Sequence, residues 1–152
     1  MPKLFRRILH PSDFSRASAP AFARALELAR SSRAELILLH VIDGVIPLGP
    51  DGYVSPSTWE QIQKSSRQYA RRGLDRLLAR AARAGVKARV VVAEGSAPQQ
   101  IARVARARGA DLIVMGTHGR GALAKFFLGS VAERVIATAG CPVLTVRARG
   151  GR

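Results

Sequence analysis

The stretch Asp111-Leu112-Ile113-Val114-Met115 runs into Gly116-Thr117-His118-Gly119 and, nine residues later, into Gly129-Ser130 and Val131-Ala132-Glu133-Arg134-Val135-Ile136-Ala137. The first five residues read as a buried parallel strand and the last seven as a helix. Between them lies a glycine-rich loop. Glycine allows close backbone approach and positive φ. A helix start offers unpaired N–H groups and the positive end of the dipole. Ser130 reads as a cap for that start. Strand, loop and helix start together suit a phosphate. A solvent-exposed surface loop is the plain alternative for such glycine pairs. No Gly-Lys-Ser/Thr follows, so this is not a P-loop, and the last glycine comes too late for a dinucleotide fingerprint.

Working outward, strands alternate with helices. Residues 5–10 read as a first strand, broken by Pro11-Ser12-Asp13. Ser15 caps a helix to residue 30, with Ala21, Phe22, Ala25, Leu26 and Ala29 as its apolar stripe. Residues 35–41 form an almost wholly apolar strand, as expected where both sheet faces are covered. Residues 43–56 are rich in Gly and Pro and read as a mobile loop. A long helix then ends near Gly85, burying Leu74, Leu77, Leu78 and Ala81. A strand at 86–93 leads through Glu94-Gly95-Ser96 to a helix with Pro98 near its start, closed by Gly109. The strand and loop quoted above follow, then a helix over 130–139 and a last strand over 142–147. This alternation implies an α/β fold with a doubly wound parallel sheet and helices on both faces. Residues 1–148 are expected to form one domain, and residues 149–152 a disordered tail.

The chain has 152 residues, 47% of them apolar, enough for one proper core. Its formal charge of +15 points to anionic partners without choosing among them. The one cysteine, Cys141, excludes an internal disulfide and makes the cytoplasm the expected location. Nothing resembles a transmembrane span or a signal peptide. His10, His40 and His118 each lie near the end of a strand. No carboxylate or cysteine spacing completes a metal site around them, so His10 and His40 are expected to be packed, hydrogen-bonded rings, with no protein-held metal.

Gly116-x2-Gly119-x9-Gly129-Ser130 resembles the ATP-binding motif of the universal stress protein family. The segments GTHGRGALAKFFLGSVAERV (116–135), CPVLTVR (141–147), ILHPSDFS (8–15) and LILLHV (36–41) resemble that family too. The chain is therefore identified as a member of its ATP-binding branch. The resemblance implies an open five-stranded sheet in the order 3-2-1-4-5, Rossmann-like and similar to the adenine nucleotide alpha hydrolases. In that order the chain reverses between strands one and four, and ligands bind beyond the strand ends at such a point.

The resemblance implies these site residues. Asp13 holds ribose hydroxyls or an adenine edge, its other reading being a turn or cap residue. Pro11 and Ser12 line the same wall, and Val41 offers backbone to the adenine. Met115, Gly116, His118 and Gly119 border the sugar and first phosphates. Gly129, Ser130, Val131 and Ala132 hold the distal phosphates. Arg120 and Lys125 either add charge there or are solvated loop cations. Gly121-Ala122 departs from the Thr-Gly that other members often carry. ATP is the implied ligand, with Mg²⁺ or Mn²⁺ accompanying its phosphates.

No nucleophile–base pair and no water-positioning carboxylate is evident, so ATP binding with slow or no hydrolysis is expected. An adenine-nucleotide hydrolase of the same fold is the enzymatic alternative. A basic nucleic-acid-binding protein is another, without a recognisable reading motif. The apolar strand 142–147 at a sheet edge implies a homodimer. A protein partner is expected without being identified.

Overall fold

The computed structural model describes residues 3–44, 49–118 and 128–148. Five strands, β1 (Arg7–Pro11), β2 (Glu35–Ile42), β3 (Ala88–Glu94), β4 (Leu112–Gly116) and β5 (Val143–Val146), form one parallel sheet in the order β3-β2-β1-β4-β5. Helices α1 (Ala19–Ser32), α2 (Pro56–Arg83), α3 (Ala97–Ala107) and α4 (Ser130–Thr138) connect them. The fold class and strand order are those the sequence led us to expect.

Side chains alternate across each strand, so one apolar strand serves two cores. Ile8, Leu36, Leu38, Leu112 and Val114 meet Phe22, Ala25 and Ala29 of α1 and Leu74 and Ala81 of α2. Leu9, Ile37, Leu39, Ile113 and Met115 meet Ile101, Val104 and Ala105 of α3 and Ala132 and Val135 of α4. Full burial of each large aliphatic contributes about 1.5–3 kcal/mol, so both layers are needed. Leu77 and Leu78 pack only partly against the first core.

Strand bounds shift by one or two residues, β1 running through Pro11, and two helix starts differ from expectation for local reasons. Ser15 does cap, its side chain accepting from Ser18 N–H, but it caps a single 3-10 turn, Arg16–Ser18, and α1 starts only at Ala19. At the other end of the chain, Gly129 rather than Ser130 is the N-cap of α4, with no side-chain capping bond. Ser130 is already the first helical residue, so its hydroxyl sits one place too late to cap. Gly85 and Gly109 take φ of +72° and +64° just past α2 and α3, the left-handed exit that glycine permits.

The central strand pair holds the feature on which the site depends. β1 and β4 pair only at Ile8↔Leu112 and Leu9↔Ile113. In this register the next carbonyl of β4 to face β1 is that of Val114, and its donor would be Pro11. Proline has no N–H, so the ladder stops. Val114 O is instead met by His10 Nδ1 at 2.9 Å. A carbonyl only accepts, so Nδ1 carries the proton and Nε2 is an acceptor, buried without a partner among the described residues. Burial pushes the His10 pKa down to about 4, partly offset by the bond to Val114 and by the charge of Asp13. The imidazole is therefore neutral in the folded protein at neutral pH.

That shift has a definite sign in stability. The unfolded chain takes up a proton near pH 6.5 and the folded chain only near pH 4, so acidification through that window favours unfolding. Stability should fall there with a slope of up to about 1.4 kcal/mol per pH unit from this group. Asn places an amide donor near the Nδ1 position. Denaturant titrations of His10→Asn should lose that part of the slope, and an unchanged slope would show that His10 is not its source.

Candidate functional site

Where the β1–β4 ladder stops, the chain beyond β1 turns over the end of β4. Ser12 N–H still donates to Leu39 O on β2 at 2.9 Å. After that, side chains hold the loop. His40 Nδ1 donates to Ser12 O at 2.8 Å, Tyr69 Oη donates to Asp13 O at 3.2 Å, and Phe14 N–H donates to Ser12 Oγ at 3.0 Å. The carboxylate of Asp13 accepts from Ser15 N–H through Oδ1 at 3.0 Å. Asp13 is thus partly a turn residue, as one of its two sequence readings required, and partly exposed at the crevice.

Phe14 adopts φ +63°, a left-handed conformation that costs a bulky residue about 1–3 kcal/mol. Its ring stacks on His40 with centroids 4.6 Å apart and meets the edge of Tyr69 at 5.5 Å. On its remaining side lies Gly73 of α2, where an added Cβ would come within 2.3–2.5 Å of three ring carbons. A glycine inside a helix costs about 1 kcal/mol relative to alanine, and here the helix gives up that side chain to admit the ring.

The other wall is the end of β4 and the start of α4. Gly116 lies against the turn after β1: a Cβ there would be 3.4 Å from Ala17 O and 3.7 Å from Ser18 Cα. Thr117 N–H donates to Val146 O, and Thr117 O accepts from Gly129 N–H at 2.7 Å. A Cβ on Gly129 would be only 2.6 Å from that same oxygen. Neither glycine has positive φ; Gly129 sits at φ −61°, ψ 152°. Gly129 is small because backbone passes close to backbone, whereas a Cβ at Gly116 would be tight only against His118 O at 3.3 Å. His118 Nδ1 contacts Thr117 Oγ1 at 3.0 Å. Among the described residues, none caps the first turn of α4, where the N–H groups of Ser130, Val131 and Ala132 await acceptors.

The structure therefore brings Pro11, Ser12 and Asp13 to the same end of the sheet as Met115, Gly116, His118, Gly129, Ser130, Val131 and Ala132. Val41 lies next to His40 at the end of β2, beside the loop that His40 holds. Gly119 and Arg120, and likewise Gly121, Ala122, Lys125 and the tail 149–152, lie outside the described residues. His10 and His40 are packed rings that donate to backbone carbonyls. Among the described residues, no three His, Cys, Asp or Glu side chains gather as metal ligands. Cys141 is half-buried, and burial, then the nearby Asp111 charge, raises its thiol pKa, which disfavours the reactive thiolate.

Sequence reasoning missed Phe14, Tyr69 and Gly73. The available signal was Gly73 itself, an isolated glycine within a strong helical pattern, four residues from an aromatic. Thr117, buried and joining β5 to the α4 start, was also missed.

Comparison with known proteins agrees with this layout. The Usp model, "Universal stress protein family", matches residues 4–147. Universal stress protein MJ0531 of Methanocaldococcus jannaschii is 37% identical over 144 residues, which cover 95% of this chain and 83% of that protein. The solved structure of MJ0577, from the same organism, superposes with a TM-score of 0.78 at 27% identity, covering 97% of this chain and 99% of the other. A family protein from Arabidopsis thaliana, solved with AMP bound, shares the fold with a TM-score of 0.65 at 21% identity, covering 93% and 90%. Matched over nearly its whole length by the family model and by a relative of this similarity, the chain belongs to the universal stress protein family.

Proposed function

We propose that the protein binds an adenine nucleotide, ATP, across the crevice between the Pro11–Ser15 loop and the start of α4. The observation that carries this reading is the convergence at a switch point of a braced carboxylate, Asp13, with an uncapped helix start behind two glycines. The AMP-bound relative supports the adenine nucleotide. In this reading Asp13 accepts from the ribose hydroxyls, with Pro11 and Ser12 as the wall and Val41 beside the base. Met115, Gly116 and His118 border the sugar and first phosphates. The N–H groups of Ser130, Val131 and Ala132, following Gly129, take the distal phosphates. Gly119 and Arg120 enter on the family resemblance alone. Mg²⁺ or Mn²⁺ would be held mainly by phosphate oxygens and water, since the described residues offer no ligand cluster of their own.

The protein's task in this reading is to report nucleotide state, with slow or no hydrolysis, in the cytoplasm. Among the described residues, no helix is long and apolar enough to cross a membrane. A homodimer through β5 belongs to the same proposal. Pro142 O and Val146 O face β4, so by strand alternation the N–H groups of Val143 and Thr145 face the open edge. The run Val143–Val146 carries no charge, and Leu144 is exposed at it. β3 is the other edge; its run Val90–Ala93, with Val90 and Val92 exposed, is bounded by Arg89 and Glu94, charges of the kind that guard an edge against pairing. β5 is the edge better suited to antiparallel pairing about a twofold axis.

Calorimetry tests the site. ATP should bind more tightly than AMP if the α4 start meets the distal phosphates. Asp13→Ala should weaken ATP binding about 10- to 100-fold, the value of one charged hydrogen bond. Equal affinity in the variant would remove Asp13 from the site. Gly129→Asp is a poor probe, because its Cβ would strike Thr117 O whether or not phosphate binds there. Phosphate release from ATP should stay well below about one per second, the range of evolved enzymes. For assembly, sedimentation should show a dimer that Val143→Pro weakens without breaking the β4–β5 ladder. A monomer at high micromolar concentration would rule the dimer out.

A further inference from the structure

We infer that Phe14, lodged in the notch at Gly73 of α2, is the positioning element that sets the Asp13 carboxylate, so that α2 helps to set nucleotide affinity without touching the nucleotide. The inference rests on the nucleotide reading above and extends it to residues outside the crevice.

Three observations meet at this ring. First, Phe14 holds a left-handed backbone, φ +63°, directly after Asp13. That conformation turns the chain so that Ser15 N–H points back to Asp13 Oδ1 at 3.0 Å. The carboxylate's direction therefore depends on the φ of Phe14. Second, the ring is confined. His40 stacks on it at 4.6 Å and Tyr69 meets it edge-on at 5.5 Å. A swing of the ring away from a new methyl at Gly73 would have to give up the stack on His40 or the edge contact with Tyr69. Third, the fit to α2 is complete. Three ring carbons lie within 2.5 Å of the point where a Cβ on Gly73 would stand.

Tyr69 lies one turn before Gly73 on the same helix and donates to Asp13 O at 3.2 Å. α2 thus holds the loop at two successive residues, Asp13 by its carbonyl and Phe14 by its ring. His40 makes the third hold, on Ser12 O from β2. A strained residue persists only where its surroundings over-determine it, and these holds supply that. Movement of α2 would reach Asp13 through the ring and through the Tyr69 hydroxyl.

Gly73→Ala is the direct test, because alanine favours the helix and opposes only the ring. Amide hydrogen exchange of the ligand-free protein should quicken at Phe14 and Ser15. ATP affinity by calorimetry should fall about tenfold, the size of one misplaced charged hydrogen bond. Phe14→Leu, which empties the notch, should act in the same direction and carries the test if Gly73→Ala does not fold. The decisive comparison is a double-mutant cycle with Asp13→Ala. If the ring acts through Asp13, Gly73→Ala should cost nothing further once Asp13 is gone. An equal loss in both backgrounds would show a general structural effect and overturn the inference, as would unchanged ATP affinity in Gly73→Ala. If the unmodified protein binds no ATP, the nucleotide reading fails, and exchange alone decides the brace. Quicker exchange at Phe14 and Ser15 would uphold it, and unchanged exchange would refute it.

Discussion

Pro11 cannot donate a hydrogen bond, and the position of the crevice follows from that. A parallel sheet with helices on both faces has a gap at its switch point, because the loops after β1 and β4 leave toward opposite layers. In this chain the gap is deepened one rung early. The β1–β4 ladder ends at Leu9↔Ile113, and Val114 O is left to a side chain. A buried carbonyl without a partner is costly. His10 answers that cost with its proton on Nδ1, while burial keeps the ring neutral. Its place in the core is a consequence of the proline that follows it. The histidine reads from sequence as a packed, hydrogen-bonded ring near a strand end, and its bond completes a broken ladder.

The glycines show the same economy of space. From sequence, the glycines at 116 and 129 invite a reading in terms of positive φ. Neither has it. Their neighbours are backbone: Ala17 O and Ser18 Cα for Gly116, Thr117 O for Gly129. Within the α4 wall the backbone of Gly129 comes closer to Thr117 O than a side chain would allow. Gly129 N–H donates to Thr117 O across that approach, fixing the start of α4 against the end of β4. A helix start held in this way presents its remaining N–H groups in a constant direction. That constancy, more than the number of donors, is what a phosphate site needs.

Much of this was legible in the sequence, and the reasons divide cleanly. The layered fold was legible because Ile8-Leu9, Leu36–Leu39 and Leu112–Met115 are apolar at every position, a pattern that two covered faces demand. The strand order came with the family resemblance, since periodicity does not say which strand lies beside which. Asp13 and the glycines were legible as residue types at element ends. The α4 cap was misplaced by one residue because Gly and Ser are both good at such positions, and only the backbone angles choose between them. The brace on Asp13 was not legible. Phe14, His40 and the Tyr69–Gly73 pair are far apart in sequence, and their union depends on where α2 crosses β2. A helical glycine hints that something approaches, but not what.

The commitments of the polar groups around the crevice bear on binding against turnover. His10 donates to Val114 O and is neutral. His40 donates to Ser12 O. Ser12 Oγ and Ser18 Oγ face each other at 3.4 Å, and Ser18 Oγ also donates to Ser15 O. One oxygen of Asp13 accepts from Ser15 N–H. A general base needs to be within reach of a water and able to change its protonation state near neutral pH. The two strand histidines instead use Nδ1 to hold backbone, and the acidic shift of His10 takes it further from that range. Groups arranged in this way give a wall braced by its own hydrogen bonds, and among the described residues the donors that remain are the backbone N–H groups at the start of α4.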